Sequence, residues 1–487
     1  MMEKKQEAKQ RTFTIDIDNG KPPASARPFR GLGMQADCYI YDEVNRQFGV
    51  NDADYDRWER RIGLLRPGLA RVFLPTNEFN PSGDGVTYDW NTKELQWQLR
   101  NLAVLKKAGA HVNLCMGPWT NHLLFAPGTE RLAVDLVEHL VRERGCDHIR
   151  WLSLFNEPDH FYSTGSAMNR ELVARGFGED RPLADYIEKH LRTLDLLDSR
   201  GLSGTVKLVV GDMAWPPARR QEWLERLAVA FEGRDVCYSF HHYAPDETQY
   251  DAFFTHPEAV MFRPPPLAQE IRRYRETVGA DAELICWEFG VSAWGMGTAT
   301  SGVGLHGEDH SGTFATAINH AKKVLTLLAE GVDGLSHWCV GDMFYRSGLQ
   351  QGVMYFGLWR YKWEAWAPRP VYFYYAALLE AIRPGCRFRS LEGLPESVAG
   401  LMVTAADGAQ TLVLLNHGPD TVKLNVPATG PAKRLRVSPE RLPHQPDAPV
   451  HATAAGETPL RDWEPLAVGT GNIDVDPGEL TLVSGGI

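Results

Sequence analysis

The sequence predicts an α/β fold, a (β/α)8 TIM barrel with an appended C-terminal all-β sandwich domain. Three features carry that expectation: eight short apolar runs alternating with amphipathic stretches, a change of texture near residue 386, and polar groups placed where apolar runs stop. The runs are "FRGLGMQAD", "GLARVFLP", "HVNLCMGPW", "IRWLSLFNEP", "VKLVVGDMA", "VCYSFHHYAP", "ELICWEFG" and "DGLSHWCVGD". Between them lie helix-like segments such as "DYDRWERRIGLL", "ELQWQLRNLAVLKKAG", "RLAVDLVEHLVRERG", "LADYIEKHLRTLDLLDSRG" and "TFATAINHAKKVLTLLAEG", several ending in Gly as helices tend to. Eight such units favour a closed barrel, placed at 28–385, over an open doubly wound sheet. From 386 to 487, "VAGLMVTAADGAQTLVLLNHGPDTVKLNVP" sets the texture: strands joined by Gly, Asp and Asn turns, as in a sandwich. Residues 1–27 form a tail. Within it "TFTIDIDNG" alternates Phe13, Ile15 and Ile17 with polar residues, a strand at about 12–18 suited to joining the sandwich.

With 487 residues, 43% of them apolar and 23% charged, the chain can bury one large core and a smaller second one. The start, "MMEKKQEAKQ", has no apolar h-region, and no uncharged apolar run reaches roughly 18 residues. A cytoplasmic protein without export signal or membrane anchor is therefore expected. The seven cysteines (Cys38, Cys115, Cys146, Cys237, Cys286, Cys339, Cys386) are odd in number, widely spaced and free of C-x-x-C, as reduced core thiols would be. A net charge of −11 argues against binding to nucleic acid or an anionic membrane, since either needs a basic face.

In a barrel the reacting groups sit where strands end and loops begin. Glu157 closes the fourth run and Glu288 the seventh. Either alone could cap a helix or join a structural salt bridge. Two at separate strand ends suggest carboxylates facing each other across a cleft. Cleavage of a glycosidic bond requires such a pair: an acid for the leaving oxygen and an ionised carboxylate for the anomeric carbon.

"FNEP" and "WEFG" resemble the acid/base and nucleophile signatures of the clan A retaining glycoside hydrolases, the (β/α)8 group that includes families 5, 30 and 39. The resemblance covers the barrel, and the appended β domain is similar to those of families 30 and 39. It implies that Glu157 is the general acid/base, that Glu288 is the nucleophile and that Asn156 binds the sugar's 2-hydroxyl. A β-linked glycoside or oligosaccharide is the implied substrate, cleaved by double displacement with the carboxyl groups about 5 to 5.5 Å apart. No cofactor and no metal are expected.

Other positions fit one site. Arg71 interrupts the apolar second run, where an unpaired charge would be costly, so a carboxylate inside the barrel should face it. Glu288 is the natural partner, and the pair would hold the nucleophile ionised. Glu157 would keep a raised pKa in a drier setting. His241 and Tyr243 lie on one side of the sixth strand by period two, where similar clan members place a His and a Tyr; Tyr243 would steady Glu288. Trp338, ending the eighth strand, resembles the aromatic platform under the sugar. At the third strand, "CMGPWTNH" offers Trp119 and Asn121. For each of these a satisfied core residue is the alternative.

Two long loops follow the last strands. "GVSAWGMGTATSGVGLHGEDHSG" is a lid or a plain excursion. "DMFYRSGLQQGVMYFGLWRYKWEAWAPRP" offers Phe344, Tyr345, Trp359, Tyr361, Trp363 and Trp366, suited to sugar faces or to packing on the β domain, with packing favoured for any one of them. "GLGMQA" matches G-x-G-x-x-A but lacks the strand before and the helix after that a dinucleotide site needs. His306, Glu308, Asp309 and His310 lack H-E-x-x-H spacing and read as a solvated loop. No G-x-S-x-G or Walker sequence appears. A transglycosylase using the same intermediate and a non-catalytic carbohydrate-binding barrel stay open as alternatives.

Overall fold

In a computed structural model of the chain, the eight apolar runs become the eight strands of one barrel. The structure describes residues 12–17, 20–23, 25–116, 128–159, 181–214, 217–243, 266–291, 303–304, 312–344, 353–426, 430–442, 462–466 and 471–486. The strands are β1 (Gly31–Gln35), β2 (Leu69–Phe73), β3 (His111–Cys115), β4 (Ile149–Ser153), β5 (Lys207–Met213), β6 (Val236–His242), β7 (Glu283–Phe289) and β8 (Gly334–His337). All pair in parallel, and β8 closes the ring by bonding to both β7 and β1. Strands buried on both faces need apolar side chains at nearly every position, which is why these runs read as continuous rather than alternating.

Around the barrel stand α1 (Glu43–Gln47), α2 (Asp52–Leu65), α3 (Lys93–Ala108), α4 (Thr129–Glu138), α5 (Arg181–Ser199), α6 (Pro217–Ala230), α7 (Leu267–Val278), α8 (Phe314–Ala329) and α9 (Pro370–Ala381). Local chemistry fixes several ends. Asn51 and Asp54 form a reciprocal capping box at the start of α2. Thr92 caps α3, and Gly109, at φ 84°, ends it in the left-handed conformation. Among the described residues no helix is long and apolar enough to cross a membrane, and all seven cysteines are free and buried.

The barrel interior is layered. At its floor Glu283 is bonded to Arg30, Lys207 and the Trp151 indole. Above it Leu69, Trp151, Val209, Cys237, Ile285 and Trp287 form an apolar plug. The mouth layer above that is polar. Its geometry depends on a bulge in β7. Opposite β6, pairing passes from Phe240↔Cys286 to His241↔Glu288; opposite β8, it passes from Leu335↔Cys286 to His337↔Phe289. One extra residue in β7 thus lets Glu288 follow Trp287 into the interior, where strict alternation would point it outward.

After α9 come β9 (Arg387–Ser390), β10 (Val398–Thr404), β11 (Gln410–Asn416), β12 (Val422–Asn425), β13 (Ala432–Val437), β14 (Glu464–Leu466), β15 (Asn472–Val475) and β16 (Leu480–Gly485). Six form an antiparallel sheet in the order β9-β10-β11-β16-β13-β14. The other two form a three-stranded sheet with Thr12–Thr14, which pairs in parallel with β12. Period two divides the large sheet between two cores. Leu401, Val403, Val413, Leu415, Leu480 and Leu482 belong to the main core with α8 and α9. Met402, Leu412, Leu414 and Val483 share a second core with Ile15, Leu424, Ile473 and Val475 of the small-sheet side.

The aromatic residues after β8 pack elsewhere than on the β domain. Trp359 and Trp366 lie edge-on to Trp58 of α2, and the Trp366 indole donates to Asp54. Phe344 stacks on Phe48 beside a half-exposed Trp363. The reason is topological: this loop joins β8 to α9, and α2 stands beside α9 in the closed ring. Tyr345 lies outside the described residues.

Candidate active site

Polar side chains converge where the strands end. Arg71, at the centre of β2, is fully buried and carries the densest set of bonds. Its Nη1 pairs with Glu288 Oε1, and its Nη2 reaches Asp212 Oδ2 at 2.6 Å and Asn156 Oδ1 at 2.7 Å. Phe73 lies under the guanidinium, 4.8 Å from it. Burying such a charge costs several kcal/mol, of order what two adjacent carboxylates can offset. Burial works against the charged form, yet the Asp212 and Glu288 carboxylates hold the guanidinium's pKa well above its ordinary value.

Glu288 is bonded through both oxygens. Besides Arg71 on Oε1, the Tyr243 hydroxyl donates to Oε2 at 2.8 Å, and His241 Nδ1 stands 3.4 Å from the same atom. Complete burial raises its carboxyl to about 7, against the pull of His241 and Arg71 and with a further push from Glu157. This corrects part of the sequence expectation. Arg71 does pair with Glu288, but the drier of the two glutamates is Glu288, whose side chain has 0% exposure, against 21% for Glu157. The bulge carries Glu288 down into the barrel, while Glu157 sits higher, four residues beyond β4.

Glu157 occupies the left-handed region at φ 49°. Its N–H donates to the Asp212 carbonyl at 3.1 Å, and its Oε1 accepts from His241 Nδ1 at 2.9 Å. One atom each of Glu157, His241 and Glu288 lie within 4.8 Å of one another. That span would suit one cation. The donors are already engaged, however, Glu288 by Arg71 and Tyr243 and His241 Nδ1 by Glu157, so the trio fits a hydrogen-bonded set. Burial disfavours the imidazolium of His241, but Glu288, Asp212 and Glu157 outweigh it and raise its pKa to about 10.

Asp212 was not singled out by sequence reasoning, although it closes the "VKLVVGDMA" run much as Glu288 closes its own. It is buried and touches Arg71, the Ser239 hydroxyl at 2.5 Å and His241 Nε2 at 3.4 Å. Burial pushes its carboxyl up, but the Arg71 charge and the His241 and Ser239 contacts hold it well below the usual carboxylate range. Gln35, 3.4 Å from Arg71 Nη1, was likewise missed. A polar residue ending an apolar run was the available signal in both cases.

Arg71, Asn156, Glu157, His241, Tyr243 and Glu288 are thus brought together. Trp338 joins them at the edge: it follows β8, is joined to Cys339 by a cis peptide bond, and lies partly exposed, 6.0 Å from the Tyr243 ring and 6.4 Å from Phe73. Trp119 and Asn121 lie outside the described residues. So does most of the loop after β7, including His306, Glu308, Asp309 and His310.

No protein-family model matches the chain, and no curated protein matches it by sequence. Solved structures do match over nearly its whole length. A family 30 endoxylanase from Clostridium papyrosolvens C71 is 11% identical with a TM-score of 0.56, covering 98% of this chain and 100% of that one. A monomeric β-xylosidase from Caulobacter crescentus CB15 is 16% identical with a TM-score of 0.57, covering 97% and 99%. An endo-β1,6-glucanase is 12% identical with a TM-score of 0.61, covering 98% and 95%. The protein has the barrel-plus-β-domain fold of the clan A glycoside hydrolases.

Proposed function

We propose that the protein is a retaining glycosidase that cleaves a β-linked glycoside or oligosaccharide, with Glu288 as nucleophile and Glu157 as general acid/base. The observation that carries the reading is the spacing of the two carboxyl groups. One oxygen of each, with a nitrogen of His241, lies within 4.8 Å of the others at the barrel mouth, which bounds the closest approach of the two groups. Direct attack needs a separation of about 5 to 5.5 Å, whereas inversion needs roughly 6.5 to 9.5 Å to seat a water. The neighbours' names, a xylanase, a xylosidase and a glucanase, support a β-linked substrate.

The hydrogen bonds support the roles, since both Glu288 oxygens accept, one from Arg71 and one from Tyr243, which favours the ionised form there. Arg71 and protonated His241 face ionised Asp212 and Glu288, leaving a neutral cluster if Glu157 carries a proton. His241 Nδ1–H occupies Glu157 Oε1, so the proton sits on the other oxygen and is passed to the leaving group as Glu288 attacks the anomeric carbon. Glu288 loses its charge to the new ester while Glu157 gains one, and the cluster stays neutral. Ionised Glu157 then takes a proton from the water that releases the sugar. Asn156, held by Arg71, is placed to meet the sugar's 2-hydroxyl, and Trp338 to lie under its ring.

Incubation with 2-deoxy-2-fluoro β-xylosyl and β-glucosyl fluorides, followed by intact-mass and peptide mapping, tests the reading. The label is expected on the peptide containing "ICWEFG". Label on Glu157 would reverse the roles. Turnover of natural substrate with an inverted anomeric product would overturn the retaining mechanism.

A further inference from the structure

We infer that Asp159 is a positioning residue that clasps the end of β4 to the end of β5 and so sets the orientation of Glu157 as proton donor. The inference rests on the glycosidase reading above. Regular pairing between β4 and β5 covers only Trp151↔Lys207 and Leu152↔Leu208. Past it the two chains continue toward the mouth, and each then carries a non-glycine residue with positive φ: Glu157 at 49° and Asp212 at 53°. Side chains avoid that conformation unless the surroundings over-determine it.

Two bonds span the gap there. Glu157 N–H donates to the Asp212 carbonyl at 3.1 Å, and two residues further along, Ala214 N–H donates to Asp159 Oδ1 at 2.8 Å. The second substitutes a side chain for the backbone ladder that the turn has broken. Asp159 has 0% exposure, and among the described residues its Oδ2 meets no hydrogen-bond partner. A buried carboxylate with one unmatched oxygen is costly to keep and needs a reason. The charged groups around it are Glu157, Arg220 and His241. Arg220 is already engaged by Glu270 and the His241 carbonyl, so no salt bridge among the described residues explains Asp159. Its one hydrogen bond among the described residues is the clasp, and the clasp brackets Glu157.

If this is its role, loss of Asp159 should harm protonation of the leaving group selectively. The test is kcat/KM for methyl and 2,4-dinitrophenyl β-xylosides and β-glucosides, measured on wild type, Asp159→Ala, Asp159→Glu and Asp159→Asn, with folding checked by circular dichroism. Asp159→Ala should lose roughly 10- to 100-fold on the methyl glycosides, as small misplacements of a reacting group do. It should lose little on the dinitrophenyl ones, whose leaving group needs no proton. Asp159→Asn keeps an acceptor for Ala214 and should restore the methyl glycoside rate. Asp159→Glu, one methylene too long, should behave like Ala and serves if Ala does not fold. Equal losses on both substrate classes, or an Asn variant no better than Ala, would overturn the inference while leaving the glycosidase reading intact. A folded wild type that turns over neither class would overturn both.

Discussion

Truncation of each glutamate removes a different step. Glu157→Ala should still form the glycosyl-enzyme from activated substrates but release it slowly, with azide restoring turnover as a β-glycosyl azide. The expected loss on unactivated substrate is about 10² to 10⁴, the scale of general acid–base catalysis. Glu288→Ala should lose more, because no covalent intermediate can form; wild-type rates in either variant would overturn the role given to that glutamate. The same cluster predicts how stability responds to pH. Folded His241 keeps its proton to about 10, against an ordinary 6.5, so the folded chain holds an extra proton between those values. Its stabilisation is complete below about 6.5 and is lost as pH rises through about 10. Glu288, raised to about 7 from 4.5, acts in the same sense at lower pH. Between about pH 5 and 6.5 the buried His148, His190 and His337, which desolvation holds well below 6.5, act in the opposite sense, so the fall in the thermal midpoint of the ligand-free protein is expected from about pH 7 to 9. His241→Gln should flatten the upper part of that fall, and an unchanged slope would count against a charged His241. At this scale the sequence showed residue types better than directions. Glu157 and Glu288 stood out as acids ending apolar runs, and Arg71 as a charge inside one. That Glu288 is the drier glutamate could not be read, because it depends on a one-residue bulge that no local pattern in "ELICWEFG" announces.

Elements were legible where a face is long enough to repeat. All eight barrel strands fall inside the apolar runs, since strands buried on both sides leave little choice of residue. The long helices α2, α3 and α8 fall on the amphipathic stretches and carry side-chain caps at Asn51, Thr92 and Thr313. Less was legible where a few residues or distant contacts decide. The π turn His139–Glu143 continuing α4 and the two-residue strands Met343–Phe344 and Val353–Met354 have no period to show. The packing of Trp359 and Trp366 on α2 follows from ring closure, a long-range fact. One buried ion pair joins the two ends of the long β8–α9 loop. Arg369, just before α9, binds Asp342 through two bonds at 2.9 and 2.7 Å and also holds the Gly357 carbonyl, while Gly357 N–H donates back to Asp342. Both partners are fully buried. Asp342→Ala would strand a guanidinium in the core and should cost about 3 to 5 kcal/mol in urea unfolding. A loss near the 0 to 1 kcal/mol typical of surface pairs would mean that water reaches this site.

The β domain and the barrel share a sheet face, and this determines how the molecule should unfold. In β11 the run Leu412, Val413, Leu414 and Leu415 is apolar throughout because alternate residues serve different cores. Val413 and Leu415 face the core shared with α8 and α9, and Leu412 and Leu414 face the small sheet. Tyr374 of α9 adds a hydrogen bond to the Gly478 carbonyl on the turn before β16. The large sheet is thus a wall common to both parts, and neither can lose it without exposing its own apolar surface. Thr12–Thr14 ties the N-terminal tail to β12 as well, in the same small sheet as β15. From this arrangement a single cooperative transition is expected in calorimetry, with barrel and β domain melting together. Leu414→Ala, far from the barrel, and Leu415→Ala, against it, should each cost about 2 to 5 kcal/mol, as buried leucine truncations do. Both should shift that one transition. If the β domain were instead an independent unit, Leu414→Ala would split off a low-temperature transition of small enthalpy and leave the main one unmoved. Near-ultraviolet circular dichroism and active-site labelling, followed through the same melt, distinguish the outcomes: in the shared-wall arrangement, the capacity to take label at Glu288 disappears with the β-domain signal in both variants, although Leu414 belongs to the second core.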